Sequence, residues 1–432
     1  MENQNQELSP LALEMLSTTD EQLATYTEGA DNGLIELAAV TVPEAPMGDN
    51  NHIGWPVATK SGDTLVVVHR RIPGHNPWGA GDGDDNSSFS LSRCSRDDGR
   101  TWSELQDLRG AMDTDYRNRG GALPLSHRYK FGPVNENRTG YKLHLNAIGT
   151  SPSGTVVLLC NYGAFRSEDK GATWQHLPDQ FREDTTEGYT IYLGPSIINH
   201  PDLGLCAFGN TVGYGLGGGD TGKKFPNPVQ GPVELEHHNL VVLNSLDEGR
   251  TWTKTIHELS FWAAQHEAAA VCHDGDIFIL GRDQRTSTSY LQIRLVDGKP
   301  VDVRRANMRH TGALDTPDLN FNPVTGRFEM VRSFREGMLV DLWSIAPEDW
   351  ESAEWQFEGV LFAKKQYAEE EGFYTKRDGF HPAGAVIDAA KGVQHIFIYT
   401  GHPNGPAGTF RLTRTLDTPK LKDFLDSSGK TD

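Results

Sequence analysis

Histidine, arginine and tyrosine recur in this 432-residue chain at the edges of short apolar runs. His52, His144, Tyr192, His266, Asp315 and His381 each open such a run, and His69, Arg70, Arg71, Asn161, Tyr162, Asn210, Arg282, Arg332 and His402 close the run that follows. Imidazole and phenol donate and accept protons, and guanidinium holds a carboxylate without losing its own charge. Together these groups suit general acid–base chemistry on an anionic ligand. A lone histidine at a strand end is usually a packing residue. Recurrence at equivalent positions is what makes the set a candidate site.

Such residues need elements that bring them to one place. The repeating unit is a short strand, a Gly-containing turn and a more apolar strand, as in "HIGWPVATKSGDTLVVVHRR" from His52 and "HLNAIGTSPSGTVVLLCNYG" from His144. Six starts are separated by 92, 48, 74, 49 and 66 residues. A unit of about 48 residues with insertions near 103–142, 211–237 and 347–379 accounts for them. This predicts an all-β propeller of four-stranded antiparallel blades, six countable and with room for a seventh. "GLIELAAVTV" near residue 35 is expected to supply the missing outer strand of the last blade, and residues 8–28 a small helix and loop. The expected division is an N-terminal extension over 1–45, a single propeller over 46–420 and a tail over 421–432.

One eight-residue phrase appears three times, as "SRDDGRTW" at 95–102, "SEDKGATW" at 167–174 and "SLDEGRTW" at 245–252. Ser and Asp can hydrogen-bond the backbone of a tight reversal, Gly supplies a positive φ, and Thr-Trp starts the next strand with its ring turned inward. The phrase resembles the Asp-box of sialidase-type β-propellers, which closes the turn between the third and fourth strands of a blade. The resemblance implies a structural role for the boxes. In an up-and-down blade it also puts first-strand starts and second-strand ends on the face opposite the boxes. Arg70 and Arg71 alternate along their strand, so at most one of them faces the centre.

The formal charge of −19 speaks against a nucleic-acid partner, and no apolar run reaches the roughly 20 residues of a membrane helix. Basic groups gathered on one rim of an acidic protein point to an anionic polysaccharide or oligosaccharide, bound by a monomer. Cys94, Cys160, Cys206 and Cys272 lie too far apart for a C-x-x-C metal site and are expected as free thiols. "GLGGGDTGKK" at 215–224 lacks the strand and helix context of a phosphate loop, and "VCHDGD" and "EHHN" read as turn or strand rather than metal ligands. The first 45 residues lack a secretory signal, so export to the periplasm or medium, with the signal outside this chain, is weighed against a cytoplasmic place.

Two function classes compete. A sialidase-like hydrolase needs three convergent arginines, a Tyr–Glu nucleophile pair and an Asp acid. Where that family begins its first blade with Arg-Ile-Pro this sequence has "HIGWP", and its "RRIP" at 70–73 follows the second strand. The stretches "HIGWPVA", "LDTPDLNFNPVTGRFE" and "HPAGAVID" are similar to propeller polysaccharide lyases that cut rhamnose–glucuronate linkages, in ulvan or gum side chains. That resemblance implies β-elimination, with His52 or His144 removing the C5 proton, Tyr192 or His69 protonating the leaving oxygen, and Arg71 or Arg282 holding the carboxylate. Arg70, Asn161, Tyr162, Asn210, His266, Asp315, Arg332, His381 and His402 would line the substrate. Such chemistry requires no cofactor, and a structural calcium or zinc ion is compatible with it. The alternatives are a sialidase-like or rhamnosidase-type hydrolase and a non-catalytic carbohydrate-binding propeller.

Overall fold

Runs such as Thr64–Ile72 and Val156–Cys160 are apolar on both faces of the strand, a pattern that requires cover from two sides. Leu65, Val66, Val67 and Val68 are all fully buried. Leu65 and Val67 pack toward Val386 and Phe397, while Val66 and Val68 pack toward Val156, Leu158 and Phe165. A sheet stands on each side of this strand. The computed structural model describes residues 35–41, 52–72, 89–108, 110–111, 143–144, 147–160, 163–177, 189–213, 239–259, 268–282, 290–308, 314–334, 339–363, 384–401 and 407–417.

Apart from the two-residue strand Leu143–His144, the described strands run as successive antiparallel meanders, and short parallel pairings join the second meander to the third and the sixth to the first. Meander 1 comprises His52–Ser61, Thr64–Ile72, Phe89–Ser95 and Gln106–Asp107, and meander 2 comprises Ala147–Thr150, Val156–Cys160, Gly163–Ser167 and Gln175–Leu177. Meander 3 follows as Tyr189–His200, Gly204–Gly213, Leu240–Ser245 and Thr253–His257, and meander 4 as Ala269–His273, Asp276–Arg282, Tyr290–Val296 and Lys299–Arg305. Meander 5 holds Leu314–Asn322, Arg327–Phe334, Leu339–Ile345 and Gln356–Ala363. Meander 6 has Gly384–Asp388, Val393–Gly401 and Ala407–Thr415, and its fourth strand is Ile35–Thr41 from the other end of the sequence. The expected insertion at 347–379 is corrected here. Its first part is a 3-10 turn, Pro347–Ser352, and the fourth strand of meander 5.

The first strand of each meander lies against the first strand of the next, and that of the sixth returns to the first, so the sheets close into a ring. The inner strands meet closely. A Cβ on Gly194 would stand 1.8 Å from the Ala268 carbonyl oxygen, and one on Gly149 2.2 Å from that of Ile197. Glycine is required there because backbone fills the space of a side chain. Apolar clusters fill the seams between meanders 1 and 2, 2 and 3, 3 and 4, 4 and 5, and 6 and 1.

The three boxes form one structure. The Gly amide donates to the Ser hydroxyl at 2.7–2.8 Å, and that hydroxyl donates to the Asp carboxylate at 2.8 Å. The Thr hydroxyl donates to the same carboxylate at 2.6 Å. The residue before each Gly, Asp98, Lys170 or Glu248, is left-handed with φ of 62°, 61° and 58°. Aspartate visits this region readily, but nothing in the side chains of Lys170 and Glu248 announces it. Each box tryptophan packs on the preceding meander: Trp102 lies 6.2 Å from Phe397, Trp174 Nε1 donates to Ser92 Oγ at 3.1 Å, and Trp252 joins Val157 and Leu159. Meander 4 uses a two-residue turn at Asp297 and Gly298 instead. Meander 5 uses Trp350 and Trp355 on Phe278 and Tyr290 of meander 4, with Trp355 Nε1 donating to Gln292 Oε1 at 3.0 Å.

Candidate functional site

The two ends of the meanders differ. Ser61 pairs with Thr64, and Ser95, which opens the first box, pairs with Leu65, so hairpin and box share one end. His52, Ile53 and Gly54 pair with Ile72, Arg71 and Arg70 at the opposite end. The rim that holds the candidate residues is therefore the one away from the boxes.

Prolines set this rim apart from the sheet beneath it. Pro56, Pro195 and Pro317 lie within or at the edge of register shifts in the first strands of meanders 1, 3 and 5, between Gly54 and Val57, Leu193 and Ile197, and Leu314 and Pro317. Proline cannot donate to a ladder and is tolerated inside a sheet at a bulge. Beyond the bulges of meanders 1 and 3 the strand resumes pairing in a new register, and those offset segments carry His52 and Tyr192, while Asp315 lies inside the bulge of meander 5. The sequence carries the signal, a proline in the first strand-like run of four of the six repeats, Pro56, Pro195, Pro317 and Pro382, the last of which lies outside the described residues.

Between meanders 2 and 3 the register forms a row across three strands. His144 pairs in parallel with Tyr192, and Tyr192 pairs on its other side with Asn210. Three candidates from distant parts of the sequence thus become immediate neighbours along the backbone. Asn210 is fully buried at the end of its strand. In meander 1, Arg70 and Arg71 are half-buried, opposite Gly54 and Ile53. Arg282 is half-buried at the end of its strand, paired with Tyr290. Asp315 lies inside the register shift of meander 5, between Leu314 and Pro317. Asn161, Tyr162, His266, His381 and His402 lie outside the described residues, as do 215–224 and the histidines of "EHHN".

Two candidates are corrected. Arg332 sits one step inside the bulge, paired with Pro317, and is 0% exposed. Its Nε and Nη2 donate to Asp341 at 2.7 and 2.8 Å, and its guanidinium lies 5.1 Å from the Trp343 ring. The side chain of Tyr290 also bonds it. A fully neutralised, buried arginine cannot hold a substrate carboxylate. His69 is 0% exposed, and neither ring nitrogen has a hydrogen-bond partner among the described residues. Burial, helped by the nearby Arg93 charge, pushes its pKa down to about 3. It is a neutral core residue, on the face of its strand shared by Leu65 and Val67.

His52 is placed at the rim but lies beneath a cover. It has no exposed surface, and its ring is 5.6 Å from Trp55 and 5.5 Å from Tyr399 of meander 6. Gly54 lacks the Cβ that would stand 3.1 Å from the imidazole, which makes room for this fold-back. Asp318, on the first strand of meander 5, is the most perturbed described carboxyl. Burial raises its pKa to about 7, partly offset by the amides of Ala385, Leu319 and Asn320. Among the described residues no group of three His, Cys, Asp or Glu is placed to hold a metal ion. His273 of "VCHDGD" instead stacks on Phe321 at 4.3 Å, and Asp274 and Gly275 form a turn. All four cysteines are free thiols, and no described helix is long and apolar enough to cross a membrane.

No protein-family model matches the sequence, and no curated protein matches it. Solved structures do share its fold. A protein of unknown function from Dyadobacter fermentans is 14% identical over 88% of this chain and 99% of its own, with a TM-score of 0.53. The Hadza microbial sialidase Hz136 is 14% identical over 86% of this chain, with a TM-score of 0.52, and the chain spans 66% of that protein's length. The NanB sialidase from Streptococcus pneumoniae is 12% identical over 93% of this chain and 73% of its own, with a TM-score of 0.53. At these identities the likeness establishes a sialidase-type β-propeller fold. It adds nothing to the lyase resemblance of the sequence phrases.

Proposed function

We propose that the chain is a carbohydrate-active enzyme, a six-bladed propeller that takes an acidic glycan at the rim away from its Asp-boxes. The sialidase neighbours favour a glycoside hydrolase over the lyase suggested by sequence phrases. The observation that carries the site is the row His144, Tyr192 and Asn210, with Arg70, Arg71 and Arg282 on the same rim. A phenol and an imidazole on neighbouring strands supply an acid and a base, and half-buried arginines supply an anion site that water screens only in part. β-Elimination stays as the second reading because the same His–Tyr row serves it. The base would take the C5 proton of a uronate, the C4–O bond would break as the C4–C5 double bond forms, and the acid would protonate the leaving oxygen.

Products separate the readings. Incubation with 3′-sialyllactose, rhamnose-terminated oligosaccharides and ulvan oligosaccharides should yield free sugar with a new reducing end and no conjugated double bond. Ultraviolet absorbance of an unsaturated uronate would decide for elimination, and binding with no product would leave a lectin. Either chemistry predicts that Tyr192→Phe and His144→Ala each cut turnover by about 10²–10⁴-fold. Unchanged rates in both variants would remove the row from the mechanism.

A further inference from the structure

Trp55 is the unusual residue of this rim. Its φ is +49°, in the left-handed region where a bulky side chain is an outlier. It falls in the bulge before Pro56, on the inner strand of meander 1. Trp55 is half-buried, and its indole lies 5.2 Å from the Tyr399 ring and 5.6 Å from the His52 ring. Tyr399 and His52 are both fully buried, so of the three residues Trp55 is the one that keeps exposed surface. Glycine or asparagine would hold this backbone conformation at less cost. A tryptophan is held there by packing from two meanders, and backbone strain of that kind gathers at ligand sites.

We propose that Trp55 is a sugar-stacking platform, a flat aromatic surface for the apolar face of one pyranose ring of the glycan. The inference rests on the acidic-glycan reading and names the specificity residue of that site. The strand that carries Trp55 pairs with the strand end carrying Arg70 and Arg71. An aromatic plate and the one guanidinium of Arg70 and Arg71 that faces the centre match a sugar that has both an apolar face and a carboxylate. The ligand class is therefore an acidic oligosaccharide whose ring next to the charged group presents axial hydrogens. Trp55 binds and orients; it transfers no proton.

The test is binding of 3′-sialyllactose and ulvan oligosaccharides to the parent, Trp55→Gly and Trp55→Tyr, measured by calorimetry per folded molecule. Whichever probe the parent binds, Trp55→Gly should weaken binding by about tenfold or more, the size of one lost aromatic contact. Trp55→Tyr should stay within about threefold of the parent. Tryptophan emission should shift on saturation in the parent and not in Trp55→Phe, a readout that serves even where the glycine variant does not fold. Parent-like affinity in Trp55→Gly, or an emission shift that survives in Trp55→Phe, overturns the platform while the glycan reading stands. A parent that binds neither probe overturns the glycan reading itself, and the platform with it.

Discussion

His69 and Asp247 show how much one residue's meaning depends on what surrounds it. His69 looks like a rim acid in the sequence, yet it is a neutral imidazole sealed in the core, with its pKa near 3 against about 6.5 when unfolded. A depressed histidine pKa means the unfolded chain takes up the proton first. Its contribution to stability is complete above about pH 6.5 and is lost as pH falls toward 3. His69→Leu should therefore keep activity, and its melting temperature should fall less than the parent's between pH 6.5 and pH 4. A dead, fully folded variant would return His69 to the site. The box carboxylates run the other way: hydrogen bonds from Thr251 and Ser245 hold Asp247 below its ordinary pKa against burial, so its stabilisation is present at neutral pH and lost in acid. Asp247→Ala or Asp169→Ala should cost about 1–3 kcal/mol in denaturant melts with activity per folded molecule intact.

At the scale of elements, the boxes do more than turn a chain. Each tryptophan wedges into the preceding meander, and a Cβ on box Gly171 or Gly249 would stand 2.9 or 2.7 Å from Val66 or Val157 of that meander. Trp174→Ala should therefore lower the melting temperature more than Thr173→Ala, which removes only a hydroxyl bond at an exposed turn. Equal shifts in the two would make the box a local turn with no part in the seam. The bulge prolines act on the other rim, where a missing amide proton breaks the ladder and lets a strand end take a new register. Charged crossings between neighbouring turns, such as Lys170 with Asp63 at 2.7 Å and Arg250 with Glu168 at 3.2 Å, are exposed and add little.

Across the whole molecule, the described seam between meanders 5 and 6 differs from the others by its buried polar groups. Arg414 pairs with Glu329 and donates to Gln394 at 2.8 Å, while Asn322 donates to Glu329 at 2.9 Å and to the Leu416 carbonyl at 3.0 Å. Asp318 lies on the same side, by the Ala385 amide. Removing one partner of a buried pair leaves an uncompensated charge, so Glu329→Ala should destabilise by about 3–5 kcal/mol. Asp318 carries the opposite pH signature from the box carboxylates. With a folded pKa near 7, it favours folding while protonated, and that advantage is lost as pH rises from about 4 through 7. Asp318→Asn should flatten the fall in melting temperature over that window; an unchanged profile would mean the carboxyl is hydrated.

The sequence by itself determined the repeat, the turn chemistry of the boxes and the strand from residue 35 that pairs with Ala407–Thr415, because these rest on local spacing and on the period of apolar residues. It also indicated which strand ends share a rim. Only the tertiary structure decided which of those residues are open. Arg332 and Arg71 are both arginines near the end of a second strand, yet Arg332 is sealed against Asp341 with no exposed surface while Arg71 is only half-buried. The row of His144, Tyr192 and Asn210 depends on pairing between strands far apart in sequence, and Trp55 became visible through a backbone angle that no side chain encodes. Periodicity is local and can be read along the chain. Exposure and register arise where the ring closes.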